Sequence, residues 1–591
     1  MKNVYLFQPQ YSVEFRKETN YWLPYSVGCL WAYAQQFDDI REQFQLTDII
    51  FKRDPIAVVV DSIDNPTVCG FSVYIWNERY CLTLAQAIKE KWPDCVIVFG
   101  GPQTSSKHLE HTFIDSVILG EGEERFVEIL RTINNGNSID KLYTKSRLTD
   151  LNIPSPYTLG LFDNLISKHP EAVWAMTLET NRGCPYACTF CDWGSATYSK
   201  VRKFEVDHVA EDLDWASKNP ISYIFCADAN FGILKARDLE IAKLIRKTAD
   251  AGRLESVNIQ YAKNSTDVIF EIAKTLGDLT RGITISVQSM NPTTLEAIKR
   301  KNLQINDIKE FLVYGQEYRI GTYTEIILGL PLETLESWRN GVCEILEMGQ
   351  HDSIDVWFCQ LLENSELNSF DSKLQYGIKT ISAVDFMPYD TSNEQAETIE
   401  EIAIVNSTNT MSTMDMADAY LYSWMVIQFH ISGYSQLCAK YARYILGISY
   451  REFYDSLEEL VKQDPTFQSH YNEFKQSVTD YLHTGQLSSG KGHGLGSDSF
   501  RFFYESKTQA VDLSLSCLQK FGDVPDVLKV LQHNFVYDQN QQYPIIVDSP
   551  WDLLTWQENS SKYTIKQKSS IVDDFYFYRR KGLLKNLFVK G

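Results

Sequence analysis

Short apolar runs separated by polar, helix-periodic stretches fill the first part of the chain and set its expected architecture. Val4–Phe7 reads as a first strand and Tyr25–Phe37 as an apolar helix. Ile56–Val60 sits in the next strand–helix unit, where periodicity alone does not choose between the two states. Thr67–Tyr74 predicts a strand, Tyr80–Lys91 a helix, Cys95–Phe99 and Ser116–Leu119 two more strands, and Arg125–Ile133 a helix. Such alternation is the pattern of βαβ units around a parallel sheet, hence a doubly wound α/β domain. Two of the strands run into glycine turns, Gly100-Gly101-Pro102-Gln103-Thr104 and Gly120-Glu121-Gly122-Glu123. Ligands bind at that edge of open α/β sheets, although a Gly-Gly-Pro turn also occurs in domains that bind nothing.

Two prolines among the polar residues of Leu151–Tyr157 predict extended chain, which places a linker over 141–170. Beyond it the β-rich runs Ala175–Glu179, Ser222–Ala227, Ser256–Gln260, Gly282–Gln288, Gly321–Leu328 and Ser353–Leu361 alternate with helical stretches. Ala236–Ala251, Asp267–Leu276 and Thr293–Lys301 are the clearest of these helices. In α/β barrels, chemistry belongs at the carboxyl ends of the strands. The pattern changes from about Ser382. Asp390–Thr408 is acidic and rich in Ser, Thr and Asn, as an exposed connector would be. Ala417–Leu446 and Tyr450–Lys462 are helical in period, so a mainly α-helical domain is expected over 386–591. Gly485–Gly496 reads as a flexible surface or lid loop; Gly492 after Lys491 rules out a phosphate-binding P-loop. Asp573–Arg580 suits an ordered C-terminal element.

At 591 residues the chain should hold three or so domains. Its hydrophobic content of 44%, with 13% aromatic, is ample for large cores and excludes global disorder. A net charge of −21 argues against a nucleic-acid partner, which would need a basic stripe. No apolar run reaches the roughly 18 residues that span a bilayer, and Met1–Phe7 lacks a secretory leader pattern. Twelve cysteines without paired spacing look like reduced thiols, so a cytoplasmic, reducing and oxygen-poor setting is expected.

Three of the cysteines stand apart. Cys184, Cys188 and Cys191 follow the spacing Cys-x-x-x-Cys-x-x-Cys. A four-iron cluster normally takes four thiolates, so three leave one iron open to a substrate or cofactor. A zinc site would want a fourth Cys or His at short spacing, but the next cysteine is Cys226 and the next histidine His208. The spacing, with Phe190 just ahead of the last cysteine, resembles the signature of the radical S-adenosylmethionine (SAM) enzymes. That resemblance implies a partial (β/α)6 barrel over 171–385 and a 4Fe-4S cluster whose open iron chelates SAM. An electron from the cluster then releases a 5′-deoxyadenosyl radical. It also implies Tyr186 and Phe190 near the cluster and adenine, and Asp228, Asn230, Ser286, Gln288 and Glu325 around SAM. Ser286-Val287-Gln288-Ser289 and Glu325-Ile326-Ile327-Leu328-Gly329-Leu330-Pro331 match family patterns, while strand-end caps or turn formers are the bland alternative.

A second resemblance precedes the cysteines. Leu23-Pro24-Tyr25-Ser26-Val27-Gly28, Val98-Phe99-Gly100-Gly101-Pro102 and Ile118-Leu119-Gly120-Glu121-Gly122-Glu123 occur in the order seen in the cobalamin-binding domain of class B radical SAM enzymes. It implies cobalamin contacts over 1–140 from Ser26, Ser72, Trp76, Asn77, Gly100, Gly101, Gln103, Thr104, Gly120, Glu121 and Gly122. The Asp-x-His-x-x-Gly segment that gives cobalt a histidine is absent, with no histidine before His108. Trp76 and Asn77 are then the nearest candidates for the lower face of the metal. Together the resemblances imply a methyltransferase acting on an unactivated carbon of a small metabolite or peptide, or on a phosphinate phosphorus. A flavodoxin- or ferredoxin-type protein would supply electrons. A non-methylating rearrangement, ring contraction or cyclisation would use the same cofactors. A methylthiotransferase would carry a second cluster, yet Cys29, Cys69, Cys81 and Cys95 are scattered over different elements. A cobalamin sensor would have no use for an open iron.

Overall fold

Val4, Tyr5, Leu6 and Phe7 are all buried, so the first strand, Lys2–Gln10, presents no face to water along this run. Burial on both faces is what a central parallel strand requires. Phe7 stacks on Phe71 of the neighbouring strand with ring centroids 4.3 Å apart. The computed structural model describes residues 1–11, 13–15, 18–193, 200–262, 266–303, 305–318, 320–384, 398–486, 497–536, 545–549, 561–565 and 588–590. These fall into two units. One comprises Met1–Thr280, Gln360–Leu374 and Ser382–Ile404; the other Arg281–Cys359, Gln375–Ile381 and Val405–Gly591.

The first unit holds a six-stranded sheet in the order Phe44–Lys52, Lys2–Gln10, Pro66–Ser72, Val96–Gly100, Ser116–Gly120, Leu142–Ser146. All of its pairings are parallel. The order reverses between Lys2–Gln10 and Pro66–Ser72, and the crevice outside the carboxyl ends at such a switch point is where doubly wound sheets bind ligands. The predicted helices form over Tyr25–Ala34, Glu78–Lys91 and Glu123–Asn134, and Ile56–Ser62 resolves as a helix. Two strands of this sheet escaped the sequence reading: Phe44–Lys52, whose burial alternates imperfectly, and the short Leu142–Ser146.

The Gly100–Thr104 turn has a steric reason for one of its glycines. Gly101 has φ +104, and a Cβ there would lie 2.6 Å from the Val73 carbonyl oxygen and 2.7 Å from its nitrogen. Gly28 is set by packing instead, since its Cβ would meet Phe162 at 2.7 Å and Pro156 at 3.0 Å. Leu151–Tyr157 is non-helical, as its prolines predict, but it is no free tether. Leu151, Ile153, Tyr157 and Phe162 are buried, and Asp163–Lys168 is a short helix.

A second sheet in this unit runs Ser256–Asn258, Ile221–Cys226, Val173–Leu178, Glu18–Trp22, Val13–Phe15. Its first four strands are parallel, and the last pair is antiparallel. Glu401–Ser407, predicted as exposed connector, is a strand with Ile404 and Val405 buried. Its Ile402, Ile404, Val405 pattern outweighs the acidic composition around it; residues 390–397 of that prediction lie outside the described residues.

The second unit carries the parallel strands Ile283–Gln288, Thr322–Leu328 and Ile354–Phe358. Its C-terminal part is helical over Thr413–Val426, Gln436–Tyr444, Tyr450–Gln463, Pro465–Thr484, Ser497–Glu505, Lys507–Gln519 and Asp526–Phe535. Ser412 and Ser449 start two of these helices with capping boxes, and Asp464 caps a third ahead of Pro465. The single helix predicted over Ala417–Leu446 breaks into α, π (Ile427–Ile431) and α segments, with Gly433 at φ +94 in the break. The predicted helix Thr293–Lys301 ends early, at Ala297, and Lys299 has φ +53. Ile545–Ser549, Ser561–Ile565 and Phe588–Lys590 form a small antiparallel sheet. Residues 487–496 and 573–580, read from sequence as a loop and an ordered terminus, lie outside the described residues. Among the described residues no helix is long and apolar enough to cross a membrane.

Gly101→Ala should lower the unfolding free energy by about 2 kcal/mol or more, because a clash adds to left-handed strain. Gly136→Ala, also at positive φ but with open space around it, should cost only about 1 kcal/mol. Chemical denaturation of the two variants checks this, and equal losses would contradict it.

Candidate functional site

At the switch point the carboxyl end of the first strand supplies Gln8. Its side-chain carbonyl accepts the Ser26 and Val27 N–H groups at 3.1 and 3.4 Å, fixing the start of the Tyr25–Ala34 helix. Ser26 Oγ then lies 2.5 Å from Tyr74 OH, and the Tyr74 ring stacks on Trp76 at 4.4 Å. Gly100 and Ser72 face each other in register, with Val73 N–H donating to Gly100 O at 2.7 Å and Gln103 N–H to Val73 O at 3.1 Å. Ser72 and the Gly100–Thr104 turn therefore lie together at the carboxyl ends of neighbouring strands, where a switch-point crevice is expected, while Gln103 Nε2 donates to Glu78 at 3.0 Å. Asn77 is engaged otherwise: its amide accepts from Tyr74 N–H at 2.8 Å and donates to Pro9 O and Ser72 O at 3.1 Å each. It clamps the turn and has little left to offer a ligand. Gln8 was missed in the sequence because a lone glutamine carries no motif.

Cobalamin is a large amide- and phosphate-bearing ligand, and this crevice offers matching groups. Thr104 Oγ1 and Trp76 Nε1 are buried with no hydrogen-bond partner among the described residues, and buried polar atoms are rarely left so. His108 is not placed as a free ligand. It is buried on Phe99 with Nδ1 turned to the Ser105 backbone at 3.2 Å.

The Val173–Leu178 strand delivers the cysteine loop. Asp228, wholly buried at the end of the Ile221–Cys226 strand, accepts Thr180 N–H at 2.8 Å, Asn181 N–H at 3.1 Å, Asn181 Nδ2 at 2.6 Å and the Thr180 hydroxyl. Burial pushes its carboxyl up to about 7, against the pull of these bonds. Asp228 thus holds the chain just before the cysteines, and its oxygens are occupied. Arg237, another residue the sequence did not flag, donates to Thr180 O at 2.9 Å and Phe204 O at 2.7 Å. Asn230 reaches the loop itself, with Nδ2 3.3 Å from Cys184 Sγ. Cys184 and Cys188 are buried, and Cys191 is partly exposed. Tyr186 and Phe190 are half-buried, unlike core aromatics.

Among the described residues no three His, Cys, Asp or Glu side chains converge on one ion. Three thiolates on one short loop suit a cluster, which spreads its irons over several sulfurs. Cys226, Cys343 and Cys438 lie apart from this loop in sequence, and burial pushes their thiols up and keeps them protonated.

Arg182 precedes the loop by two residues and is nearly buried. Nε and Nη2 donate to Glu179 at 2.9 and 3.0 Å, and Nη1 lies 2.8 Å from Glu123 and 3.7 Å from Glu121. Burial opposes its charge, but Glu123 and Glu179 hold its pKa well above the ordinary value. Tyr25 OH adds a 3.2 Å bond to Glu179. Glu121, expected at the cofactor, accepts Leu148 N–H at 2.7 Å and pairs with Arg202. Its role here is to hold the Gly120–Gly122 turn.

In the second unit, Ser286 and Glu325 are register partners, and Ser286 Oγ donates to Glu325 at 2.8 Å. Burial raises the Glu325 carboxyl while this bond lowers it. Gln288 ends its strand at a register shift with φ +66, a left-handed conformation that costs about 1 kcal/mol or more and is common at functional sites.

Asp228→Asn would turn an NH2 group toward donors. Much of the bound iron should be lost and stability should fall by about 2–4 kcal/mol. The exposed Asp214→Asn should change neither. Anaerobic iron analysis with thermal melting checks this; full iron in Asp228→Asn would contradict it.

Residues 178–340 match the radical SAM superfamily. TokK from Streptomyces tokunonensis, a cobalamin-dependent radical SAM methyltransferase, is 33% identical over 494 residues, which span 78% of this chain and 71% of that one. A 2-(S-pantetheinyl)-carbapenam-3-carboxylate methyltransferase from Streptantibioticus cattleyicolor is 32% identical over 497 residues, 79% of this chain and 72% of that one. Among solved structures, the radical SAM methyltransferase TsrM from Kitasatospora setae with cobalamin and a 4Fe-4S cluster bound superposes with a TM-score of 0.51. It is 15% identical and covers 82% of this chain and 99% of that one. OxsB with aqua-cobalamin and SAM bound gives 0.50 at 15% identity, covering 90% and 83%. These structural matches show a shared fold. With 33% identity across 78% of its length to such an enzyme, the chain belongs to the cobalamin-dependent radical SAM methyltransferases.

Proposed function

We propose that this enzyme methylates an unactivated carbon of a small carbapenam-type carboxylate. The observation that carries this reading is the extent of likeness to the carbapenam methyltransferase, 32% identity over 79% of the chain. An acidic chain with a helical C-terminal part also suits a small substrate better than a nucleic acid.

In this reading 1–140 seat cobalamin, 141–170 connect, 171–385 form the barrel and 386–591 shape the substrate pocket. Cys184, Cys188 and Cys191 would hold the 4Fe-4S cluster, with one site left open for SAM. When bound, the cluster supplies the electron that splits SAM to a 5′-deoxyadenosyl radical, and cobalamin carries the methyl group. Asn230 places an N–H beside Cys184 Sγ, a bond of the kind that tunes cluster potential. Tyr186 and Phe190 lie within the loop and offer apolar surface to adenine. The Ser286–Glu325 pair and Gln288 offer acceptors and donors to the amino, ribose and carboxylate groups of SAM. Ser72, Trp76, Gly100–Thr104 and Gly120–Gly122 would surround cobalamin, and Trp76 would line its lower face. The protein's contribution is orientation and exclusion of water and oxygen. A flavodoxin- or ferredoxin-type donor in a reducing cytoplasm completes the system.

Cys184→Ala, Cys188→Ala or Cys191→Ala should remove most of the iron and abolish SAM cleavage, while Cys226→Ala and Cys438→Ala should keep both. An iron-replete, active Cys188→Ala protein would sink the cluster assignment. Without a histidine beneath it cobalamin should bind base-off, so electron paramagnetic resonance of the cob(II)alamin form should show no axial nitrogen splitting; a clear splitting would contradict base-off binding without a nitrogen ligand. For the substrate, the reduced, cofactor-loaded enzyme is incubated with SAM and 2-(S-pantetheinyl)-carbapenam-3-carboxylate. A singly methylated product, with similar yields of S-adenosylhomocysteine and 5′-deoxyadenosine, is expected. Deoxyadenosine and a rearranged product without S-adenosylhomocysteine would overturn methylation.

A further inference from the structure

The Gly120–Glu123 turn and the cysteine loop are joined by charge. Glu123 starts the Glu123–Asn134 helix, where the amide dipoles already favour a carboxylate. Its Oε1 lies 2.8 Å from Arg182 Nη1, and Arg182 is separated from Cys184 by one residue. The turn is held from two further sides. Glu121 takes Arg202 and the Leu148 N–H, and a Cβ on Gly122 would sit 2.9 Å from Leu30. On the other side, Asn181–Arg182 pair with Arg202–Lys203 as a short antiparallel ladder. Arg202 therefore also touches both segments. Displacing the cysteine loop must then pull on the turn, because the guanidinium cannot be left buried without its carboxylates.

We propose that Arg182 is a positioning residue that couples the two cofactor seats, so that assembly of the iron–sulfur cluster tightens cobalamin binding and cobalamin steadies the cysteine loop. This rests on the reading that the Gly100 and Gly120 turns hold cobalamin. Coupling of this kind is reciprocal by thermodynamic necessity. A single guanidinium shared between Glu123 and Glu179 is the physical link. Arg202, through Glu121, is a parallel path.

The test measures cobalamin affinity by absorbance titration on cluster-free and cluster-loaded protein, in wild type, Arg182→Gln and Glu123→Gln. Glu123→Gln keeps the Arg182–Glu179 bonds and so preserves the loop should Arg182→Gln fail to load iron. Wild type should bind cobalamin about fivefold or more tightly once the cluster is present, and that ratio should collapse toward one in the variants. An arginine that merely stabilised the fold would weaken both states and leave their ratio intact, which would overturn the proposal. So would a wild-type ratio of one. Hydrogen exchange gives a second readout without cobalamin. Cluster assembly should slow exchange of the Gly120–Glu124 amides in wild type and not in Glu123→Gln; a turn indifferent to the cluster in wild type overturns the link. Wild-type protein that binds no cobalamin yet shows this exchange response would overturn the cobalamin reading and support the link.

Discussion

Taking a guanidinium out of water costs several kcal/mol unless carboxylates replace the lost hydration. Arg182 is buried with Glu179 on its own strand end and Glu123 on the helix after the Ser116–Gly120 strand. The place of the cysteine loop follows from that requirement. Such a buried pair adds little net stability by itself, but removing one partner typically costs about 3–5 kcal/mol, so the geometry it selects is strongly held. Around it, Tyr25 ties the first helix to Glu179, and Arg202 ties the returning strand to Glu121.

The two candidate seats in the first unit use different physics. At the switch crevice, strand order creates the opening, and Gly101 lets the turn cross Val73 without a clash. Thr104 and Trp76 leave buried polar atoms without a hydrogen-bond partner among the described residues, which would suit a polar ligand. At the cysteine loop, fixed hydrogen bonds do the placing: Asp228 and Arg237 bind the backbone at Thr180 and Asn181, and Arg182 anchors the next residue. Asn230 reaches the Cys184 sulfur itself. Rigid support of this sort suits a site that must hold three thiolates for a shared cluster while leaving one iron free.

Much of this was legible in the chain. The alternating runs predict the parallel sheet because both-face burial of Val4–Phe7 or Cys95–Phe99 needs continuous apolar residues. The cysteine spacing is local and chemical, so it survives without tertiary information. What escaped was long-range. Glu121 and Asp228 sit where motifs place ligand contacts, yet their carboxylates serve Arg202, Leu148, Thr180 and Asn181. Nothing near Arg182 in sequence names Glu123 as its partner. Glu400 lies in a stretch that reads as solvated connector, but it is buried on Arg53 and accepts the Arg79 and Tyr80 N–H groups at a helix start. Local composition does not see a partner from another segment. The break after Val426 turns on Gly433 and a π turn, which helical period does not resolve.

One chain carries both an iron–sulfur cluster and cobalamin. Metal analysis of anaerobically reconstituted, desalted protein tests this most directly. About four iron atoms and one cobalt per chain are expected in the same sample. Full iron with no retained cobalt, or cobalt bound by a protein that takes up no iron on Cys184, Cys188 and Cys191, would contradict it.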